Sequence, residues 1–228
     1  MTTVACVWVR GQVPYTADYV VRLQAMVHRW MDRPYRFVCL TDQPKTLPRE
    51  IHTIPVPSPA PLKGWWAKIH CFNDALMGEP FDHRVLYLDL DSLIVAPLAP
   101  ILDFPAQFAL VPDTGTFQGT RELHVLKRFN SSVMVWNAGR PFEVFARWTP
   151  SVAARLWGDQ DWIGELFPTE SVPASEWTAR RMPAEWFPRL SECTTGVPVE
   201  AKVVLCKKPK NADAAKRYPW VDAIWRAA

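Results

Sequence analysis

Two aspartates, Asp89 and Asp91, interrupt an otherwise apolar stretch, RVLYLDLDSLIV, at residues 84–95. A carboxylate buried without a partner is costly, so this pair requires a cation or a proton. Residues two apart on a strand point the same way, about 7 Å from each other, which suits a hard divalent cation held directly or through water. The residues alone also allow a surface-facing strand end with a turn at Asp91-Ser92. An acid–base pair of a hydrolase would face across a sugar, which one strand does not offer.

Apolar runs and helical spacing predict the elements that position this pair. Strands are predicted at 4–9, 35–40, 51–56, 84–95, 107–111, 132–136 and 203–206, and helices at 18–31, 65–76, 142–148, 159–167 and 219–225. The β-α-β-β-α-β order of the first half predicts an α/β fold with a mostly parallel central sheet and helices on both faces. Ligands of such sheets collect at the carboxyl ends of the strands, where the two aspartates stand.

Composition excludes several classes of protein. With 228 residues, 49% hydrophobic and 21% charged, the chain has enough apolar material for one sizeable core and is not typical of a disordered protein. Its five cysteines have neither zinc-site nor disulfide spacing. We see no signal peptide and no run of 18 apolar residues, so the expectation is a protein without a membrane span, located in the cytoplasm, or in the host cytoplasm if viral.

Five further segments accompany the D-x-D stretch in a fixed order: YRFVCLTDQP, KGWWAKIHCF, FNSSVMVWN, GDQDWIG, and VVLCKKPK followed by PWVDAIW. With them, the chain resembles GT-A glycosyltransferases that use nucleotide sugars, in a bacterial or viral group similar to family-8-like retaining enzymes. The resemblance covers nearly the whole chain. It implies one GT-A (Rossmann-like) domain, with a nucleotide-binding half at 1–95 that ends in D-x-D, and a donor-sugar and acceptor half at 96–228.

The resemblance also implies an activity. The chain would be a hexosyl- or pentosyltransferase that moves a sugar from a nucleoside-diphosphate sugar, with a UDP-sugar as the favoured donor, to an acceptor. Mn²⁺ or Mg²⁺ would neutralise the departing diphosphate, and the anomeric configuration would be retained. The acceptor would be a glycan, a small molecule or modified DNA. The loop at 113–128 and the Trp-rich region at 157–189 are expected to shape its site.

By the same resemblance, Asp89 and Asp91 are the metal ligands. The family usually supplies a third ligand, a His, where this chain has Cys206. A thiolate is a soft ligand and a poor choice for Mn²⁺ or Mg²⁺, so Cys206 is either a doubtful ligand or a small buried residue. Lys208 and Lys210 are expected to contact the diphosphate, although lysines in such a segment are commonly solvated.

The remaining site residues are expected to contact the donor. They are Lys68, Asn130, Ser132, Asp159 and Gln160 on the sugar side, and Trp8 and Tyr15 for stacking on the nucleobase. Gln160 would lie beside the anomeric carbon, and Asp159 would bind donor hydroxyls. These residues also have structural alternatives. Lys68 could face solvent, Asn130 and Ser132 could be ordinary turn residues, and Asp159 could cap its helix. Trp8 and Tyr15 could simply pack against other side chains.

Two other functions stay open at this point. One is a DNA glycosyltransferase that acts on a hydroxymethylated base, for which salt-dependent DNA binding would be diagnostic. The other is a non-catalytic protein that binds nucleotide sugars, which would not hydrolyse the donor. A nucleotidyltransferase is disfavoured because the chain has no G-x-G-x-x-G phosphate loop.

Overall fold

A computed structural model describes residues 1–10, 15–56, 64–77, 83–113, 129–139, 141–167, 179–206 and 210–227. Within these ranges the strands are β1 Thr2–Trp8, β2 Tyr35–Thr41, β3 His52–Pro55, β4 Arg84–Leu88, β5 Ser92–Ile94, β6 Phe108–Pro112, β7 Phe129–Asn137, β8 Arg180–Arg181 and β9 Val203–Leu205. The α-helices are α1 Ala17–Trp30, α2 Asp74–Met77, α3 Ala99–Leu102, α4 Glu143–Ala146, α5 Pro150–Arg155, α6 Asp159–Leu166, α7 Asn211–Ala215 and α8 Pro219–Arg226.

Seven strands form one sheet in the order β3-β2-β1-β4-β7-β6-β8. The pairs β3/β2, β2/β1, β1/β4 and β6/β8 are parallel, whereas β4/β7 and β7/β6 are antiparallel. The prediction of a mostly parallel sheet is confirmed. Strands from both halves of the sequence belong to this sheet, since β7 and β6 extend it beyond β4.

Alternation along β4 divides the core into two layers. Leu86 and Leu88 face a cluster that also contains residues of α1 and α8, and Val85 and Tyr87 face a cluster with residues of α4 and α6. All four side chains are buried. The central strands are thus covered by helices on both faces, as their nearly continuous apolar sequence predicts.

Three local expectations were wrong. Residues 64–72 form a 3-10 helix, Gly64–Phe72, instead of the α-helix predicted at 65–76. The strand predicted through residue 95 ends at Leu88 and resumes as β5. The turn between them begins at Asp89 and includes Asp91, so the two aspartates are not neighbours on one strand face. β5 then pairs with β9 in a separate two-stranded sheet that the sequence did not predict.

Arg84 fixes the turn between α3 and β6. Its guanidinium group donates hydrogen bonds to the carbonyl oxygens of Leu102 (3.0 Å), Phe104 (2.8 Å) and Ala106 (2.7 Å), and to Asn137 Oδ1 (2.7 Å). Burial lowers the pKa of Arg84, and these four hydrogen bonds replace part of the water that a partly buried guanidinium group loses. The planar fork of arginine can satisfy several acceptors at once, and lysine cannot.

No helix among the described residues has the length and apolar character needed to cross a membrane.

Arg84→Met should lower the free energy of unfolding by about 2–3 kcal/mol, because buried acceptors lose a charged donor. Arg84→Lys should recover less than half of that loss. Urea denaturation followed by circular dichroism measures both. Arg33→Met is the control: Arg33 pairs with Asp32 and Asp103 at the surface, and its loss should cost less than about 1 kcal/mol. Equal effects at the two arginines would contradict this role for Arg84.

Candidate active site

The candidate site lies at the carboxyl ends of β1 and β4, where the order of the sheet reverses. From β1, the chain runs to β2 on one side, whereas β4 lies on the other side. Such a reversal leaves a crevice outside the strand ends, and in open α/β sheets this crevice is where ligands bind. Tyr15 follows β1, and Asp89 and Asp91 follow β4, so the topology brings these residues to one place.

Asp89 is held by a lysine and a tyrosine. Lys68 Nζ lies 2.8 Å from Asp89 Oδ1, and the Tyr87 hydroxyl donates to the same oxygen over 2.8 Å. The backbone N–H of Asp89 donates to Ser132 O over 2.8 Å, which fixes the end of β4 against β7. The carboxylate therefore has a defined position and a cationic partner.

Lys68 also contacts a second buried carboxylate. Its Nζ lies 3.8 Å from Asp159 Oδ2 and donates to Ser131 Oγ over 3.2 Å. Lys68 is only 8% exposed. Burial alone would lower the pKa of Lys68, but the charges of Asp159 and Asp89 raise that pKa above its ordinary value. Lys68 is thus a charged, enclosed group and not the solvent-facing lysine that the sequence left open.

Asp159 begins α6 and is 3% exposed. Burial raises the pKa of Asp159, and the Lys68 ammonium and a hydrogen bond from Ser131 oppose that rise. The N-terminus of a helix favours a negative charge, but no side-chain hydrogen bond caps this one. The Asp159 carboxylate therefore faces Lys68 in the site, and its role is not that of a helix cap alone.

Asp91 has its own lysine and tyrosine. The Tyr15 hydroxyl donates to Asp91 Oδ2 over 3.0 Å, and the Lys210 ammonium pairs with the same oxygen. Lys210 Nζ also lies 5.3 Å from the centre of the Tyr15 ring, in a cation–π contact. Burial raises the pKa of Asp91, the charge of Asp89 adds to the rise, and Lys210 opposes it.

Cys206 lies beside Asp91 but does not complete a metal site. Its backbone N–H donates to Asp91 O over 3.3 Å. Burial and the charge of Asp91 raise the pKa of the Cys206 thiol, which keeps it protonated at neutral pH. Within the described ranges, no three His, Cys, Asp or Glu side chains are grouped so that they could share a metal ion. The idea of Cys206 as a third ligand therefore has no geometric support.

The donor-sugar residues predicted on β7 and α6 border the Lys68 cluster. Asn130 Oδ1 accepts a hydrogen bond from Ser132 N (2.8 Å), and both side chains are half-buried. Gln160 follows Asp159 in the first turn of α6 and is also half-buried. Asn130, Ser132 and Gln160 are thus each adjacent in the chain to a residue that contacts Lys68, and their individual roles stay predictions.

Of the two aromatic residues predicted to stack on a nucleobase, Trp8 has little free surface. It is 6% exposed in the core, and its indole N–H donates to Tyr15 O over 2.9 Å. Trp8 therefore positions Tyr15, which is half-buried and contacts Asp91. Lys208, most of the loop at 113–128 and residues 168–178 of the Trp-rich region lie outside the described residues.

Sequence reasoning missed two residues of the cluster. Tyr87 received no role, and Ser131 was passed over between Asn130 and Ser132. The position of Tyr87, two residues before Asp89 on the same strand face, was the available signal. Nothing in the sequence marked Ser131, because its contact with Lys68 joins residues 63 positions apart.

Comparison with known proteins gives matches in structure only. No protein-family model matches the chain, and no curated protein matches it either. Two matching solved structures are those of the galactosyltransferase LgtC. A complex with donor and acceptor sugar analogs has a TM-score of 0.61 at 15% identity and covers 92% of this chain and 89% of that one. An active-site mutant of LgtC has a TM-score of 0.68 at 12% identity and covers 99% and 95%.

These likenesses show that the chain has the GT-A fold, as its resemblance to that class implied. They extend over nearly the full length of both proteins.

A pH-dependent effect follows from the raised pKa of Asp159. When folding raises the pKa of a carboxyl, the folded protein holds that proton more tightly than the unfolded chain does. The contribution of the group to the free energy of unfolding is therefore largest below the unfolded pKa, and it is lost as the pH rises through the folded pKa. Asp159→Asn stays neutral throughout. The difference in free energy of unfolding between Asp159→Asn and the wild type should therefore move in favour of the variant as pH rises from about 4 to 7. Urea melts at both pH values measure this difference, and a constant or reversed difference would contradict the assignment.

Proposed function

We propose that the protein transfers a sugar from a nucleoside-diphosphate sugar, with UDP as the favoured nucleotide, to an acceptor. The observation that carries the proposal is the pair of separately held aspartates at the switch point of the sheet. Asp89 is paired with Lys68 and Tyr87, and Asp91 with Lys210 and Tyr15. The GT-A fold supports this assignment, and the neighbouring LgtC structure contains donor and acceptor sugar analogs.

The cluster around Asp91 and the cluster around Asp89 would bind different parts of the donor. Lys210 pairs with Asp91 and contacts the Tyr15 ring, and the diphosphate would bind beside these three residues. Asp159, Lys68 and the β7 segment would accept and donate hydrogen bonds to the sugar hydroxyls. Gln160, next in the chain, would stand beside the anomeric carbon, where charge develops in the transition state.

Charge balance supports a divalent cation. The two clusters contain three carboxylates but only two ammonium groups. The carboxylates are those of Asp89, Asp91 and Asp159, and the ammonium groups are those of Lys68 and Lys210. A sugar diphosphate adds further negative charge, which such a site would repel without another cation. The oxygen ligands of Asp89 and Asp91 fit Mn²⁺ or Mg²⁺, while the protonated thiol of Cys206 does not.

When bound, the cation would neutralise charge on the diphosphate leaving group. The chain's own residues would do the rest. Asp89 and Asp91 would hold the cation together with the diphosphate and water, and Lys210 would pair with a phosphate oxygen. Lys68 would keep Asp89 and Asp159 fixed, so that the sugar is oriented by groups that need no rearrangement. Retention at the anomeric carbon is part of the proposal and rests on the resemblance.

The wild type should bind UDP at least about tenfold more tightly with Mn²⁺ than in excess chelator, a difference of about 1.4 kcal/mol. Asp91→Ala should remove that difference, because one of two carboxylate ligands is lost. Isothermal titration calorimetry measures both affinities. Asp103→Ala is the matched control, since Asp103 is an exposed aspartate paired with Arg33. Metal-independent UDP binding by the wild type would refute metal bridging.

Gln160→Ala should reduce hydrolysis of a UDP-sugar donor by about 100-fold, while the affinity for UDP changes less than about twofold. This pattern identifies a contact made mainly in the transition state. The control is Glu165→Gln on the same helix, where an exposed pair with Arg155 is lost and activity should be kept. A parallel loss of UDP affinity in Gln160→Ala would show that this segment acts through the structure of α6.

A further inference from the structure

Two tryptophans form a stacked pair beside the candidate active site. The ring centres of Trp65 and Trp157 lie 6.4 Å apart, with 15° between their planes. Trp65 belongs to the 3-10 helix that carries Lys68, and Trp157 lies just before α6, which carries Asp159. The pair is separate from the buried aromatic cluster of Phe72, Phe108 and Trp136.

The pair is fixed by more than ring contact. The indole N–H of Trp65 donates to Trp157 O over 3.0 Å. Gly158 passes close to the edge of the same ring: a Cβ at this position would lie 3.2 Å from Trp65 Cδ1 and Nε1. Backbone and ring are therefore held at a separation that any side chain at residue 158 would disturb.

Trp157 is nevertheless 63% exposed. Most large aromatic residues of the described chain are buried or half-buried, because they contribute much of the apolar surface of a core. A large aromatic ring that is held in one place and left in water offers an apolar face that a ligand can cover. One face of Trp157 is backed by Trp65, so the ligand surface is the remaining face.

The position of the pair relates it to the proposed donor sugar. In a 3-10 helix the side chains at i and i+3 eclipse, and three residues rise about 6 Å. Trp65 and Lys68 therefore project from the same side of their helix. Trp157 precedes Asp159 by two residues. Both rings are thus close in the chain to the groups proposed to hold the donor sugar, and we expect a ligand on Trp157 to lie next to that sugar.

Charge around the pair disfavours a polyanionic ligand. On the described segments 64–77 and 150–167, the lysine and arginine side chains are Lys68 and Arg155. Lys68 is paired with Asp89 and Asp159, and Arg155 with Glu165 at 2.7 Å. Binding of a nucleic acid depends on cations that neutralise phosphates. A neutral carbohydrate needs none, and the C–H face of a pyranose ring is an apolar surface that an indole can cover.

We propose that the exposed face of Trp157, backed by Trp65, is a subsite for a pyranose ring of a neutral carbohydrate acceptor. The inference rests on the proposed function for its assignment to the acceptor. The sugar-binding property itself can be measured without any donor.

Saturation-transfer NMR with lactose, maltose and cellobiose as probes tests the subsite on the full chain. We expect transfer to the C–H protons of one ring face for at least one of these disaccharides. Trp157→Ala should weaken the binding at least about tenfold, and Trp157→Phe should retain part of it because an aromatic face remains. Phe142→Ala is the matched control, since Phe142 is another exposed aromatic residue, 43% exposed, and its loss should leave the signal unchanged. Circular dichroism confirms that each variant is folded.

Three results would overturn the proposal: no binding of any of the three disaccharides by the wild type, equal binding by Trp157→Ala, or binding of a single-stranded oligonucleotide that depends on Trp157 in place of the sugars. UDP affinity of the wild type is measured separately by calorimetry. If UDP does not bind, the proposed function fails, whereas disaccharide binding that depends on Trp157 would still establish the subsite.

Discussion

The buried ammonium group of Lys68 connects the parts of the candidate site. It contacts Asp89 at the end of β4, Asp159 at the start of α6 and Ser131 on β7, while its own backbone lies in the 3-10 helix. An uncompensated buried charge is costly, and this lysine supplies the opposite charge to both carboxylates. The 3-10 helix, β4, β7 and α6 are distant in sequence, and Lys68 connects all four. These contacts fix the positions of the charged groups in the candidate site.

The sheet topology explains why a second, independent pair can exist beside the first. β4 ends after Leu88, and the chain turns through Asp91 into β5, which pairs with β9 and leads to Lys210. Asp89 therefore belongs to the main sheet and Asp91 to the junction with the small one. A donor with a diphosphate at one end and a sugar at the other suits two charged clusters that are fixed by different parts of the fold.

The sequence was sufficient where local pattern determines structure. The apolar run of β1, the helical spacing of α1 and the D-Q-D start of α6 were each predicted within one or two residues, because burial on one or two faces leaves a periodic trace. It failed where long-range pairing decides. The strand predicted at 203–206 is β9, but its antiparallel pairing with β5 was not predicted, nor was the break that separates β5 from β4, because each strand has only three residues and its own pattern does not indicate a partner.

The candidate site shows the same division. Asp89 and Asp91 were predicted because carboxylates stand out among apolar neighbours, whereas Asp159 and the lysines followed from the resemblance. The pairing of Lys68 with both Asp89 and Asp159 was not predicted, nor was the role of Ser131, since these contacts arise only when β7 inserts next to β4. Cys206, which aligns with a family ligand, stays a doubtful ligand: it is buried beside Asp91, and within the described ranges it forms no group of three that could share a metal ion.

A crystal structure with UDP and Mn²⁺ tests the central claim most directly. The account predicts that the diphosphate lies at the carboxyl ends of β1 and β4, with Mn²⁺ bound by Asp89 and Asp91, Lys210 against a phosphate oxygen, and Lys68 still between Asp89 and Asp159. Nucleotide bound elsewhere on the protein, or Mn²⁺ held by other carboxylates while both lysine–aspartate pairs stay closed, would contradict it.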